Sequence, residues 1–140
     1  MKRILLAVIT EGDICLSPFC SALSQSIKVG LANDIEFFPI FFEANGNWSM
    51  GFNQGVTLAW QEKLDGFVCV NPRVSWDADS LVALVKSKKD AIALPVATRG
   101  GFQIKMGEIA RLQEDADAIK VQGVSLDFFY LSPYLSLIHI

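Results

Sequence analysis

The chain has 140 residues, 51% of them hydrophobic and 19% charged, with a formal net charge of −3. That length predicts one domain able to bury a core, and the apolar content excludes a disordered chain. Acidic and basic residues are scattered without a basic stripe, so binding to bare DNA or RNA by counterion release is not expected.

The opening segment, MKRILLAVITEGD, joins a basic pair to a short apolar run with an acid close behind. A secretory leader needs a longer apolar stretch and a small-residue cleavage site, so 4–9 (ILLAVI) reads as a strand. Its unbroken apolar character is that of a strand covered on both faces. After the polar stretch TEGDICLS, Ser17-Pro18 supplies an N-cap and a first-turn proline. Phe19, Leu23, Ile27 and Leu31 then recur at helical spacing, which predicts an amphipathic helix over 18–31, broken by Asn33-Asp34. The segment 35–42 (IEFFPIFF) is rich in β formers, but Pro39 cannot donate to a ladder, so an edge strand, or one that ends near the proline, is expected. A loop at Ala44-Asn45-Gly46-Asn47 leads into a helical pattern from about Ser49 to Leu64, whose first turns are weakened by Gly51 and Gly55.

Asp65-Gly66 marks a turn, 67–70 a short buried strand, and Asn71-Pro72-Arg73 its end. The following helix buries Leu81, Val82, Leu84 and Val85 and ends in Lys86, Lys88 and Lys89, where the macrodipole favours cations. A further strand is expected over 91–96, and two more over 119–121 and 126–131. Strands alternating with helices predict an α/β fold of three layers. Its sheet is mostly parallel, with helices on both faces, right-handed crossovers and a β-rich C-terminal tail.

No window reaches the roughly 18 apolar residues of a membrane span. Cys15, Cys20 and Cys69 form no CxxC pair and His139 is the sole histidine, so no metal site is expected and the reduced thiols point to the cytoplasm. A helix N-terminus can lower a thiol pKa, but Cys15 and Cys20 have no matching base and read as buried small hydrophobes. Trp48, Phe52 and Trp60 read as core residues. The closing YLSPYLSLIHI is apolar to its last residue and is expected to be buried, against the sheet or in a homo-oligomer.

In a parallel sheet, ligands sit beyond the carboxyl ends of the strands. Those ends are Thr10-Glu11-Gly12-Asp13, Asn71-Pro72-Arg73 and Ala97-Thr98-Arg99. Each has a plain alternative: a polar loop at 10–13, an exposed loop arginine at Arg73, a flexible turn at Thr98-Arg99-Gly100-Gly101. Asp77-Ala78-Asp79 poses a sharper question, because a DxD at a strand end is how many sugar-transferring enzymes hold a divalent metal and a nucleotide diphosphate. Here the strand ends at Val70, and the two aspartates fall in the first turn of the next helix. There they accept bonds from free backbone N–H groups and complement the dipole, so capping is the expected role.

The block 51–98 (GFNQGVTLAWQEKLDGFVCVNPRVSWDADSLVALVKSKKDAIALPVAT) resembles the glycosyltransferase-family-2-like proteins of phages and bacteria, which have the GT-A nucleotide-diphospho-sugar transferase fold. Asn53, the strand 67–70, the helix start Ser75-Trp76-Asp77 and the strand 91–96 match that layout. The N-terminal ILLAVITEG and the tail IKVQGVSLDFFYLS are similar to its first strand and its later strand pair, so most of the chain is covered. The resemblance implies a nucleotide or nucleotide-sugar ligand, with Thr10, Glu11 and Asp13 near the base or ribose.

Two departures qualify it. Where the family places its metal-binding Asp-x-Asp, this chain has Asn71-Pro72-Arg73, a weak neutral ligand and a cation. Where Arg-Asn is expected, Phe52-Asn53 stands. The chain also stops soon after the last strand pair, where the family continues with a segment for the acceptor. The expectation is therefore a degenerate, phage-encoded protein of the host cytoplasm, without a catalytic residue or a bound cofactor. It binds a nucleotide or nucleotide sugar through Thr10, Glu11, Asp13, Asn53, Asn71, Arg73, Thr98 or Arg99, or a protein partner through the apolar C-terminal tail. Two alternatives stand beside it: a metal-independent transferase using Arg73 or Arg99 on the diphosphate, and an assembly component that kept only the fold.

Overall fold

The computed structural model describes residues 1–12, 15–87, 91–93, 96–98, 101–103, 113–114, 119–120 and 128–132. Strand β1 (Lys2–Thr10) is followed by helix α1 (Ser17–Ala32), β2 (Ile35–Glu43), α2 (Trp48–Gln61), β3 (Gly66–Val70) and α3 (Ala78–Lys86). Six short strands complete the described chain: β4 (Ala91–Ala93), β5 (Val96–Thr98), β6 (Gly101–Gln103), β7 (Gln113–Glu114), β8 (Ile119–Lys120) and β9 (Phe128–Leu131).

The main sheet has the order β2-β1-β3-β9-β4. β1 pairs in parallel with β2 from Lys2↔Ile35 to Thr10↔Glu43, and with β3 from Ile4↔Gly66 to Val8↔Val70. β9 runs antiparallel to both β3 and β4, so the sheet is mostly parallel with one reversed strand. β5 and β6 form a separate antiparallel ladder, as do β7 and β8. The expected strand 91–96 is thus corrected to two short strands in different sheets. Pro95, which has no N–H to give to a ladder, lies between them in sequence.

Burial follows from position. β1 has a strand on either side and helices over both faces, and Ile4 to Val8 are fully buried. Ile4, Leu6 and Val8 face Phe19 of α1 and Leu81 and Val85 of α3, whereas Leu5, Ala7 and Ile9 face Val56 and Ala59 of α2. The three layers are therefore α1 with α3, the sheet, and α2. β2 forms one edge, and the proline-containing strand is an edge strand as expected.

The first two crossovers run in opposite directions across the sheet, so one common hand places α1 and α2 on opposite faces. α3 leads in the direction of α2 yet packs on the face of α1, so its crossover has the opposite hand, against the uniform right hand expected. Contacts with α1 hold it there. Trp76, just before α3, donates from Nε1 to Ser26 Oγ at 2.7 Å, and its ring meets Phe19 edge to face at 5.6 Å.

Several local expectations are corrected. Leu16, not Ser17, stands at the N-cap of α1 and makes no side-chain cap bond. The closest face of α1 is Phe19, Ala22, Ser26 and Gly30, with Leu23 and Ile27 flanking it and Leu31 left 52% exposed. Small residues let this helix lie close to the sheet, and the larger apolar ones pack to its sides. α2 ends at Gln61 rather than near Leu64, because the chain turns through Lys63 at φ +52°. Its glycines answer a packing demand: a Cβ at Gly55 would lie 2.8 Å from the Phe67 ring, and one at Gly51 2.9 Å from Ile9. Trp48 and Phe52 stack at 5.2 Å over the core, but Trp60 is 54% exposed and is not a core residue. Cys15 is half-buried and Cys20 is exposed, so neither is the buried small hydrophobe expected, and Cys69 is the buried one. Among the described residues, no helix is long and apolar enough to cross a membrane. Of the closing segment, Tyr130 is buried and Leu131 half-buried, and 133–140 lie outside the described residues.

Candidate functional site

The strand order reverses direction at β1, whose chain successor β2 lies on one side and β3 on the other. The loops that leave the carboxyl ends of β1 and β3 lead to α1 and α3 on the same face of the sheet, and open α/β sheets take their ligands in a crevice beyond the carboxyl ends of their strands. Of the three predicted strand-end segments, 10–12 and 71–73 leave the ends of neighbouring strands at this edge.

At the end of β1, Thr10 is buried at 7% exposure. Its hydroxyl donates to Glu43 Oε2 at 3.0 Å, and Gly12 N–H donates to Glu43 Oε1 at 3.1 Å. Gly12 sits at φ +101°, a conformation that side-chain-bearing residues rarely adopt. Glu43 closes β2 opposite Thr10 in the register, so the sheet itself delivers its carboxylate to the start of the β1 loop. The Gly12 amide, and after it the Thr10 hydroxyl, hold the Glu43 carboxyl below its usual range, with the Asn45 amide adding to them and burial opposing. Glu11 is exposed, and Asp13 lies outside the described residues.

At the end of β3, Asn71 Oδ1 accepts from Arg73 N–H at 2.9 Å, and its carbonyl accepts from Val74 N–H at 3.1 Å. This is an Asx turn followed by a backbone turn, built around a buried Pro72. It leaves Arg73 exposed, with no ion pair among the described residues. Ser75 Oγ reaches the Pro18 carbonyl at 3.4 Å, which ties the loop after β3 to the start of α1.

Asp77 occupies the N-cap position of α3 and Asp79 its first turn, as the sequence predicts. Asp77 makes no side-chain bond to the helix backbone, however; its Oδ2 lies 3.5 Å from Ser80 Oγ. The two aspartates instead border a groove of about 440 Å³ with Ser21 and Gln25 of α1. They are displaced from the end of β3, and the residues that do stand there do not fit a divalent cation. The Asn71 oxygen is engaged in its own turn, Arg73 is a cation, and among the described residues no three His, Cys, Asp or Glu side chains gather into a metal-binding group.

The remaining candidates lie elsewhere. Asn53 is exposed on α2 and lines a separate groove of about 620 Å³ with Phe42 and Gln54. Thr98 ends β5, outside the main sheet, and Arg99 lies outside the described residues. Near the N-terminus of α1, burial and the neighbouring Cys20 push the Cys15 thiol up, so the dipole does not activate it. Sequence reasoning missed Glu43. Only the register of β1 with β2 brings its carboxylate to Thr10 and Gly12, so no local pattern marks it. Comparison with protein-family models and with curated proteins finds no match for this chain.

Proposed function

We propose that the protein binds a nucleotide or nucleotide sugar in the crevice between the ends of β1 and β3, as a degenerate glycosyltransferase-like protein without metal-dependent transfer. The observation that supports this reading is Arg73. It stands at the end of a central parallel strand, set by the Asn71 turn, exposed and free of ion pairs among the described residues. A guanidinium so placed can pair with two oxygens of a diphosphate and replace the charge a cation would supply. The Glu43 clasp fixes the end of β1, and Glu11 is exposed beside it.

Isothermal titration with UDP-glucose, UDP-N-acetylglucosamine and other nucleotide sugars, with and without manganese, tests the proposal. The expected result is saturable binding that manganese leaves unchanged and that Arg73→Ala weakens roughly ten- to a hundredfold. Binding strengthened by manganese would contradict the reading of positions 71–73. Binding accompanied by release of the free nucleotide would identify a metal-independent transferase. No binding to any of them would reject the crevice as a nucleotide site and leave an assembly role for the fold.

A further inference from the structure

We infer that the groove between α2 and the outer strand β2 is a second binding site, suited to a neutral saccharide. The groove holds about 620 Å³, within the usual range of ligand sites, and none of the residues lining it is charged. Its apolar surface comes from Phe42, Met50 and Leu58. Its polar side chains are Asn47, which caps α2, Ser49, Asn53, Gln54, Thr57 and Gln61, and among the described residues none of the last four makes a side-chain hydrogen bond.

The chemistry of that lining selects the ligand. Asn53, Thr57 and Gln61 follow one another at four-residue spacing, so they form a row along the helix with a rise of roughly 6 Å per step. Each amide offers donors and an acceptor on one group, which matches the paired donor and acceptor character of neighbouring sugar hydroxyls. A phosphate, a carboxylate or an amine would find no opposite charge here, because none of the 14 residues of α2 is charged. Trp60 is not among the lining residues, but it is 54% exposed and stands three residues from Thr57 on the helix, so its indole is an apolar group next to the polar row. The C–H face of a pyranose ring fits such a surface while its hydroxyls reach the amides. The site is separate from the crevice and does not depend on a nucleotide there.

Side-chain amide and indole NMR signals of the full chain, titrated with maltotriose, cellotriose and chitotriose, test the inference. The expected result is saturable shifts of Asn53, Gln54, Gln61 and Trp60 with at least one of them, unchanged by excess UDP. The double variant Asn53→Ala with Gln54→Ala should weaken that binding about tenfold. Alanine is the better helix former at exposed positions, so an unchanged unfolding midpoint separates lost binding from lost fold. No saturable shift with any of the three sugars overturns the inference, as does binding that survives the double variant. Shifts that follow protein concentration alone would assign the face to self-association and overturn it as well.

Discussion

The ends of β1 and β3 are neighbours at one edge of the sheet, yet their polar groups are engaged in different ways. At β1, a hydroxyl and an amide both go to the carboxylate of Glu43, a residue brought in from the adjoining strand. At β3, Asn71 bonds to its own turn and leaves a charged side chain, Arg73, facing outward. The first end is a structural clasp across two strands, and the second is a local Asx turn that presents a cation. Position at a strand end therefore does not make two residues equal candidates. Thr10 already has its partner, and Arg73 has none among the described residues.

Leu6→Ala, Arg73→Ala with its control Thr10→Val, and Asn71→Ala break or sharpen that contrast, in decreasing order of effect. Leu6→Ala removes a fully buried side chain from the central strand, beneath both ends, and should cost about 2–5 kcal/mol in urea unfolding. Both ends should lose order together, because they share that foundation. Arg73→Ala should leave stability within about 0.5 kcal/mol and weaken diphosphate binding by about 1.5–3 kcal/mol, roughly ten- to a hundredfold. If Thr10→Val weakens binding as much, the clasp is part of the ligand site and the contrast fails. Asn71→Ala removes the Asx bond and should cost about 0.5–1.5 kcal/mol of stability, with a loss of affinity smaller than that of Arg73→Ala. Equal losses would show that the turn, and not the guanidinium, carries the binding.

What the sequence revealed of this arrangement depended on how local each cause was. The run ILLAVI announced a doubly covered strand, and Pro39 announced an edge, because both effects act within a few residues. The Asn71-Pro72-Arg73 turn was legible for the same reason. The closest face of α1 was not, since Ala22, Ser26 and Gly30 approach the sheet by being small, which a hydrophobic pattern does not register. The strand expected at 91–96 was misjudged because β4 joins the sheet through β9, a pairing to residues almost forty positions later that periodicity cannot reveal. Asn53 entered the site by resemblance alone, and the structure sets it on another groove. The Glu43 clasp joins residues 31 and 33 positions apart, and only the register of β1 with β2 brings them together.

That clasp makes the smallest and most specific prediction. The Gly12 and Thr10 bonds favour the ionised Glu43 carboxylate, so its pKa in the folded chain lies below the usual value of 4.5. Between the two values the unfolded chain binds more protons than the folded one, and stability falls as the pH is lowered. The contribution is therefore complete above the ordinary carboxylate range and is lost as pH drops through the depressed folded value. Glu43→Gln keeps one acceptor oxygen but no charge. Its stability deficit should be present at neutral pH and shrink as the pH falls, so that the two unfolding curves converge in acid. Because Glu43 is exposed, the difference should also shrink with added salt. A deficit constant across the acid range would show that the carboxylate charge does not hold the β1 loop. The contrast between the two strand ends would then rest on Arg73 alone.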